Sequence, residues 1–316
     1  IVMTLRGMAA CRDPLGIRPL QMGRKDGAVV FASETVAFGA IGATFEREVE
    51  PGELIEVDFD GSIRTHRPFG NIPARPCIFE HVYFSRPDSI FAGRSVYEAR
   101  KAIGTQLALE SPCDADLVVP VPDSGVPAAI GYSQQSGLPF ELGIIRSHYV
   151  GRTFIQPSDG ARNSGVSRKH SANRSIVEGK RIVLIDDSIV RGTTSLKIVE
   201  MMRDAGATEV HFRVASAPFA HGCYYGVDVP ERSKLLAARM KLEAMQTFIK
   251  ADSLAFVSID GLYRAVGEEK RKSSCPQFCD ACFTGDYPTR LTDVSRREQD
   301  AAQLSFPDTK PVDEPV

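Results

Sequence analysis

The chain has 316 residues, of which 43% are hydrophobic and 25% charged, so it can form one large domain or two ordinary ones. Its 38 basic and 40 acidic side chains leave a net charge of −2, which gives no electrostatic reason to expect nucleic acid or an anionic membrane as partner. The sequence contains no apolar run of about eighteen residues and no signal peptide, so a cytoplasmic location is expected. The seven cysteines are too few and too scattered for a secreted disulfide scaffold.

The first 75 residues are predicted to form short strands and turns. Residues 28–32 are apolar, and residues 53–59 alternate in polarity before an Asp60-Gly61 turn. This pattern indicates a small β-rich unit.

Strands and helices are predicted to alternate after this unit. Ser95 and Glu98 have capping-box spacing and open a helix that extends to about residue 110. Predicted strands then cover residues 116–121, 140–146, 181–187, 209–216 and 254–259, and predicted helices cover 126–135, 195–205, 231–240, 242–250 and 260–266. Such alternation favours an α/β fold, with a parallel sheet covered by helices on both faces. Residues 293–316 are polar and contain prolines, which predicts a disordered tail.

The run from residue 181 to residue 195 carries most of the chemical information. Its apolar residues 182–185 suit a strand buried on both faces, and ligands of parallel sheets collect at the carboxyl ends of the strands. Asp186 and Asp187 lie at that end, where they can accept hydrogen bonds from ribose hydroxyls or face a divalent cation. Gly192 allows close approach of a phosphate, and the helix that follows offers free N–H groups to an anion. The run therefore predicts a sugar-phosphate site.

This run resembles the phosphoribosyl pyrophosphate (PRPP) motif of the type I phosphoribosyltransferases. Three further segments are similar to the amidophosphoribosyltransferases, a family of pentosyltransferases: Phe-Glu-His-Val-Tyr-Phe-Ser-Arg-Pro-Asp-Ser (79–89), Val-Pro-Asp-Ser (121–124) and Tyr-Val-Gly-Arg-Thr-Phe-Ile-Gln-Pro (149–157). The resemblance extends from about residue 12 to about residue 292. It implies the first step of de novo purine synthesis, in which PRPP and ammonia from glutamine give 5-phosphoribosylamine and pyrophosphate. It also implies inhibition by purine nucleotides and a homo-oligomer.

The resemblance implies a division into domains. Residues 1–75 would be the C-terminal remnant of an N-terminal-nucleophile glutaminase domain, and residues 76–292 a phosphoribosyltransferase domain with a C-terminal cluster-binding segment. Because the chain begins at Ile1 inside this glutaminase segment, we expect it to be truncated and to lack the glutaminase's catalytic cysteine. Cys11 is expected to be a buried packing residue.

The family motifs can be carried over residue by residue. The PRPP-binding residues would be Asp186, Asp187, Ser188, Arg191, Gly192, Thr193, Thr194 and Ser195. The resemblance places Ser124 in a pyrophosphate loop, near a Mg²⁺ that also meets Asp186 and Asp187. Many relatives have a second serine where this chain has Gly125.

The stretch 149–174 is rich in cations, glycine and serine, which suits a mobile lid over PRPP. Its candidate residues are Arg152, Lys169 and Arg174. Composition alone leaves a solvated basic loop as the alternative.

The late C-x-x-C at residues 279–282 has several interpretations. Its spacing alone leaves metal ligation, a redox pair and packed thiols open. The resemblance implies a [4Fe–4S] cluster held by Cys77, Cys223, Cys279 and Cys282, with zinc in the same sulfurs as the alternative. Cys275 would then be a spare thiol and Cys113 a packing residue.

Two other functions are alternatives to this one. One is a type I phosphoribosyltransferase that acts on a nucleobase, against which the four cysteines and the segment 12–20 argue. The other is a non-catalytic PRPP or nucleotide sensor. The intact Asp186, Asp187, Thr193 and Thr194 argue against a sensor.

Overall fold

The computed structural model describes residues 1–147 and 170–291. Two small antiparallel sheets form the N-terminal unit: β1 (Val2–Met3), β2 (Gly7–Cys11), β3 (Gln21–Lys25), β4 (Ala28–Ala32), α1 (Val36–Ala40), β5 (Thr44–Glu48), β6 (Leu54–Asp58) and β7 (Ile63–His66). The strand orders are β1-β2-β6-β7 and β4-β3-β5, and Met22, Val49, Ile55 and Val57 form the buried core of this unit. The predicted short strands and turns are confirmed.

A connecting segment leads to the second unit. It contains a wide helical turn (Glu80–Phe84), the hairpin β8 (Ile90–Phe91) and β9 (Arg94–Ser95), and α2 (Val96–Glu110). The Ser95 side chain accepts a hydrogen bond from the Glu98 N–H, as the capping-box spacing predicted.

A four-stranded parallel sheet forms the centre of the second unit. In chain order, its elements are β10 (Leu117–Pro120), α3 (Val126–Ser136), β11 (Ile144–Arg146), β12 (His170–Ala172), α4 (Arg174–Val177), β13 (Arg181–Asp186), α5 (Thr193–Asp204), β14 (Glu209–Val214), α6 (Leu236–Arg239), α7 (Leu242–Ile249), β15 (Ser253–Phe256), α8 (Ile259–Ala265) and α9 (Ala281–Thr284). The order is β10-β13-β14-β15, and every pair in it is parallel. No helix within 1–147 and 170–291 has the length and apolarity that a membrane crossing needs.

Both faces of this sheet are covered. Along β13, Val183 and Ile185 pack in one core cluster, whereas Ile182 and Leu184 pack in another. Residues of α2, α3 and α8 cover the first face, and residues of α5 and α7 cover the second. The apolar run of β13 is thus explained by burial on both sides, which confirms the predicted α/β class.

The helices α2 and α3 cross at very short range. A Cβ atom on Gly104 of α2 would lie 1.8 Å from the Ala128 carbonyl oxygen, and one on Gly131 of α3 would lie 1.9 Å from the Lys101 carbonyl oxygen. Both obstacles are backbone atoms of the facing helix, so neither can rotate away. The crossing therefore requires glycine at both positions, and it sets the position of the loop that leads into α3.

Four sequence-based expectations need correction. Of the predicted strand 140–146, only β11 forms, and it pairs with β12 outside the main sheet. Phe140 makes a single bridge to Val118, and the Gly143 N–H then donates back to the Glu141 carbonyl, which turns the chain before β11. The predicted helix 231–240 is divided because Leu235 is extended and fully buried. Strand 254–259 ends earlier, at Phe256. Cys11 is exposed, since Ala10 takes the inward position in β2.

Replacing Gly131 with alanine should separate α2 from α3. We expect the G131A change to lower the free energy of unfolding by about 1–3 kcal/mol, the usual range for overpacking. Urea denaturation followed by circular dichroism measures this. The matched control is Gly39→Ala in α1, where a Cβ has no heavy atom within 4 Å and stability should stay equal or rise by up to about 1 kcal/mol. Equal stability of wild type and G131A would contradict the close crossing.

Candidate functional site

Two adjacent carboxylates lie at the carboxyl end of β13. Asp186 and Asp187 are only 8% and 6% exposed, although both are acidic. The Asp187 N–H donates to Asp186 Oδ1 at 2.9 Å, and the Ser188 hydroxyl donates to Asp187 Oδ1. Buried carboxylates are unfavourable unless they are paired or bind a cation, so the pair is a candidate binding site.

Burial governs the protonation of this pair. Burial raises the pKa of Asp186 well above its ordinary value, and the neighbouring Asp187 charge raises it further. The pKa of Asp187 is also raised by burial, while hydrogen bonds from Ser124 and Ser188 and the charge of Arg100 oppose the rise. A divalent cation would supply the positive charge that both carboxyls lack, and hard oxygen atoms suit Mg²⁺.

The loop after β10 lies beside the aspartate pair. Pro120 of β10 stands opposite Ile185 of β13, and the Val121 N–H donates to the Ile185 carbonyl at 2.8 Å. Ser124 on this loop reaches Asp187 with its hydroxyl. The ion pair between Asp123 and Arg146 ties the same loop to β11. The structure thus brings together two segments that lie about sixty residues apart in the chain.

A steric constraint explains why this loop has glycine at position 125. A Cβ atom there would lie 2.4 Å from the Ile185 carbonyl oxygen and 2.9 Å from the Val121 carbonyl oxygen. A serine at this position would require a different path of the backbone. Gly125, in place of the serine of many relatives, is therefore required by the close packing of this loop against β13.

The N-terminus of α5 is the third part of the candidate site at the carboxyl ends of the strands. Gly192 precedes this helix with φ of 77°, a conformation that favours glycine, and Thr193, Thr194 and Ser195 form the first turn. The first N–H groups of a helix have no partner within the helix, so this turn can bind an anion. Arg191, Thr193 and Thr194 are exposed, whereas Gly192 and Ser195 are buried.

Arg100 lies near this site but was not among the residues predicted from the sequence. This arginine is 5% exposed on the buried face of α2, where Nε donates to the His81 carbonyl at 3.0 Å and Nη2 donates to the Ser85 carbonyl at 2.6 Å. Burial lowers the pKa of Arg100, and the charge of Asp187 opposes that effect. The available signal was an arginine among Val96, Ile103 and Leu107 at helical spacing.

The candidate lid residues fall into two groups. Arg152 and Lys169 lie outside the described residues. Arg174 begins α4, and its Nη2 donates to the Asp204 carbonyl at 2.7 Å, at the opposite end of α5 from Gly192. In this arrangement Arg174 does not reach the aspartate pair.

The four cysteines singled out in the sequence all line one cavity. Cys77, Cys279 and Cys282 are buried, and Cys223 is half-buried. Cys77 forms a parallel backbone bridge with Cys279, and the Ala220 and His221 N–H groups both donate to the Cys282 carbonyl. Backbone hydrogen bonds therefore hold three distant segments around the cavity. Cys275 is exposed, and Cys113 packs at the margin of the core.

Four thiols around one cavity suit a sulfur-ligated metal group, whose positive ions would have to offset the cost of ionising buried thiols. Burial raises the pKa of Cys279 to about 11, and it raises the pKa values of Cys77 and Cys282 still further. Within the described ranges, no three Cys, His, Asp or Glu side chains converge tightly enough to hold one metal ion. Tetrahedral zinc needs each sulfur about 2.3 Å from a single ion, whereas a four-iron cluster holds its ligands further apart. Both groups are held by four cysteine sulfurs, so the donor set fits either of them.

Asp280 lies inside the C-x-x-C and is completely buried. Its carboxylate accepts a hydrogen bond from the Tyr263 hydroxyl at 2.9 Å, and the Arg271 guanidinium also donates to it. These bonds fix the loop that carries Cys279 and Cys282. This network was not predicted from the sequence, because its partners come from separate segments.

Comparison with known proteins agrees with this geometry. A family model described as "Phosphoribosyl transferase domain" matches residues 90–227. The amidophosphoribosyltransferase of Rhizobium etli is 60% identical over 298 residues, which are 93% of this chain and 60% of that protein. The chain belongs to the amidophosphoribosyltransferase family. The Bacillus subtilis member is 50% identical over 92% of this chain and 61% of its own length.

Solved structures support the same assignment. The B. subtilis glutamine PRPP amidotransferase, complexed with ADP and GMP, superimposes with a TM-score of 0.83 and 50% identity. The match covers 92% of this chain and 63% of that one. The family and the fold class expected from the sequence are thus confirmed. The chain spans about 60% of the length of these bacterial relatives.

Neutralising Asp186 should stabilise the metal-free protein. Because burial raises the pKa of Asp186, ionisation opposes folding, and stability should fall as pH rises from the ordinary aspartate pKa towards the raised one. We expect Asp186→Asn, measured in EDTA at neutral pH, to raise the urea midpoint and to flatten its dependence on pH.

Asp116→Asn is the matched control, because Asp116 directly precedes β10 and so lies at the amino ends of the parallel strands. A hydrogen bond from Arg181 lowers the pKa of Asp116, so this change should lower the midpoint. A lower midpoint for Asp186→Asn as well would contradict the account of the aspartate pair.

Proposed function

We propose that this chain contains the phosphoribosyl-transfer site of an amidophosphoribosyltransferase. In the proposed reaction, ammonia attacks C1 of PRPP with inversion, the C1–O bond to diphosphate breaks, and the new amine loses a proton. The products are 5-phosphoribosylamine and pyrophosphate, in the first step of purine synthesis. The observation that carries the proposal is the buried aspartate pair beside Ser124 and the N-terminus of α5. Identity of 50–60% to the named bacterial relatives supports it.

Each part of the candidate site has a proposed role. The first turn of α5, with Gly192, Thr193, Thr194 and Ser195, would bind the 5′-phosphate through its N–H groups and hydroxyls. Asp186 and Asp187 would orient the ribose hydroxyls, and Ser188 and Arg191 would border the sugar phosphate. The loop containing Ser124 would face the diphosphate. With no covalent nucleophile needed, positioning and charge stabilisation would provide the rate acceleration.

We propose that Mg²⁺ is held by Asp186, Asp187 and Ser124 together with the diphosphate oxygens. When bound, it would neutralise charge that develops on the leaving group. Mg²⁺ usually takes few protein ligands at such sites, which agrees with the small set of side chains here. Arg100 would act as a positioning residue, because it balances the charge of Asp187 from inside the protein. Arg152 and Lys169 are proposed to close over PRPP.

The domain division is part of the proposal. Residues 1–75 would belong to a glutaminase domain that supplies ammonia, and residues 76–292 would form the transferase. The B. subtilis relative is described as a complex with ADP and GMP, which supports purine nucleotides as inhibitors. We also propose a homo-oligomer.

Release of pyrophosphate from PRPP tests the transferase site directly. Ammonium is the appropriate donor, because it tests this site without a glutaminase. We expect turnover with Mg²⁺ and ammonium, and its loss in Asp187→Ala with the circular dichroism spectrum unchanged. Asp114→Ala is the control, because its exposed side chain lies at the amino ends of the strands, away from the aspartate pair. Turnover should persist in this variant. An active Asp187→Ala would refute the role of the pair, and an inactive wild type that still binds PRPP would favour a sensor.

We also propose that Cys77, Cys223, Cys279 and Cys282 hold a structural [4Fe–4S] cluster. The proposal rests on the ring of thiols around one cavity and on its connections to three separate segments. A cluster there would join the C-terminal segment to the core.

Iron analysis of anaerobically purified protein tests the cluster. We expect about four irons per chain in the wild type and loss of iron in Cys282→Ser, because a ligand of the cluster is removed. Cys275→Ser is the matched control and should keep its iron, since Cys275 is exposed. A folded wild type without iron would refute the cluster, and stoichiometric zinc would support the alternative metal.

A further inference from the structure

Arg75 carries buried donors that no acceptor satisfies. Its Nε and Nη2 atoms are buried, and neither has a hydrogen-bond partner in the described part of the chain. Asp286 Oδ2 is 3.6 Å from Nη2, which is too far for a hydrogen bond. Leaving buried N–H groups of a cation unpaired is costly, so this guanidinium requires an acceptor that residues 1–147 and 170–291 do not supply.

The backbone places Arg75 beside the cysteine cavity. The Arg75 N–H donates to the Leu15 carbonyl at 2.7 Å, and the Cys77 N–H donates to the Ile17 carbonyl at 3.0 Å. Alternate bonding to residues 15 and 17 is typical of extended chain, in which residues two apart share a face. The side chain of Arg75 therefore lies on the same side as that of Cys77. The Cys279 N–H donates to the Pro76 carbonyl at 2.9 Å, which brings the second segment to the same place.

The charge of Arg75 acts on two residues of the cavity wall. It favours the ionised forms of Cys279 and Tyr225, both of which line the cavity. Arg18 lines the cavity, and its Nη1 also has no hydrogen-bond partner among the described residues, but that atom lies 2.6 Å from Glu80 Oε1, which balances its charge. The carboxylate beside Arg75 is that of Asp286, which lies 3.6 Å away and is already paired with Arg271 at 2.6 Å, so the charge of Arg75 is less completely balanced than that of Arg18.

We propose that Arg75 donates N–H hydrogen bonds to sulfur atoms of the cluster in the cysteine cavity and compensates part of its negative charge. This inference rests on the proposed cluster. Hydrogen bonds to the sulfurs and nearby positive charge favour the more reduced form of an iron–sulfur centre, so Arg75 would raise its reduction potential.

The test is a redox titration of anaerobically purified holoprotein, followed by electron paramagnetic resonance. We expect Arg75→Gln to keep its iron and to shift the midpoint potential to a more negative value. The reason is that the positive charge and the N–H donors of the guanidinium are both lost. Arg75→Lys keeps the charge but not the Nε donor, so its potential should lie between the two. Arg264→Gln is the matched control: this arginine pairs with Glu110 on the surface, and its loss should leave the potential unchanged.

The outcomes separate this inference from the cluster itself. Wild type that contains the cluster, with an unchanged potential in Arg75→Gln, would overturn the role of Arg75 and leave the cluster intact. Wild type without iron would overturn both. If Arg75→Gln loses its iron, Arg75→Lys decides: a potential more negative than wild type supports the inference, and the wild-type potential overturns it.

Discussion

The burial of two adjacent carboxylates at the end of β13 is the constraint on which the candidate site depends. The covered sheet keeps Asp186 and Asp187 away from water, and burial raises both pKa values. The parts that offset this cost come from several elements: Ser124 follows β10, Ser188 follows β13, and Arg100 lies on α2. The environment of the aspartate pair therefore depends on several elements at once: the α2/α3 crossing, the backbone at Gly125 and the carboxyl ends of the strands.

A buried polar layer links this arrangement to the cysteine cavity. Arg18 lines the cavity and pairs with Glu80, which is 1% exposed. Ser85 donates its hydroxyl to the Glu80 carboxylate, and the Ser85 carbonyl accepts from Arg100. Charges of alternating sign thus run from the cavity to Asp187. Since Arg18 belongs to the N-terminal unit, both units contribute to this layer.

Local patterns were enough to predict much of the fold and the phosphate-binding run. Strand β13, the aspartate pair and the start of α5 are consecutive in sequence, so composition and spacing indicated them directly. The C-x-x-C was also visible, although its spacing alone left its chemistry open. The family resemblance, rather than any periodicity, indicated Cys77 and Cys223.

Features that depend on long-range packing could not be predicted. Arg100 is recognisable only when α2 is placed against the end of β13, and Asp280 only when Tyr263 and Arg271 surround it. The orphan donors of Arg75 become evident only after the surrounding acceptors are known. The strand expected at 140–146 failed because a turn, in which the Gly143 N–H donates to the Glu141 carbonyl, separates the bridge at Phe140 from β11.

A crystal structure with PRPP and Mg²⁺, grown without ammonia, tests the central claim most directly. The account predicts the 5′-phosphate at the N–H groups of Thr193, Thr194 and Ser195, the ribose hydroxyls and the metal at Asp186 and Asp187, and the diphosphate beside Ser124. A ligand bound elsewhere, with the two carboxylates left uncontacted, would contradict it.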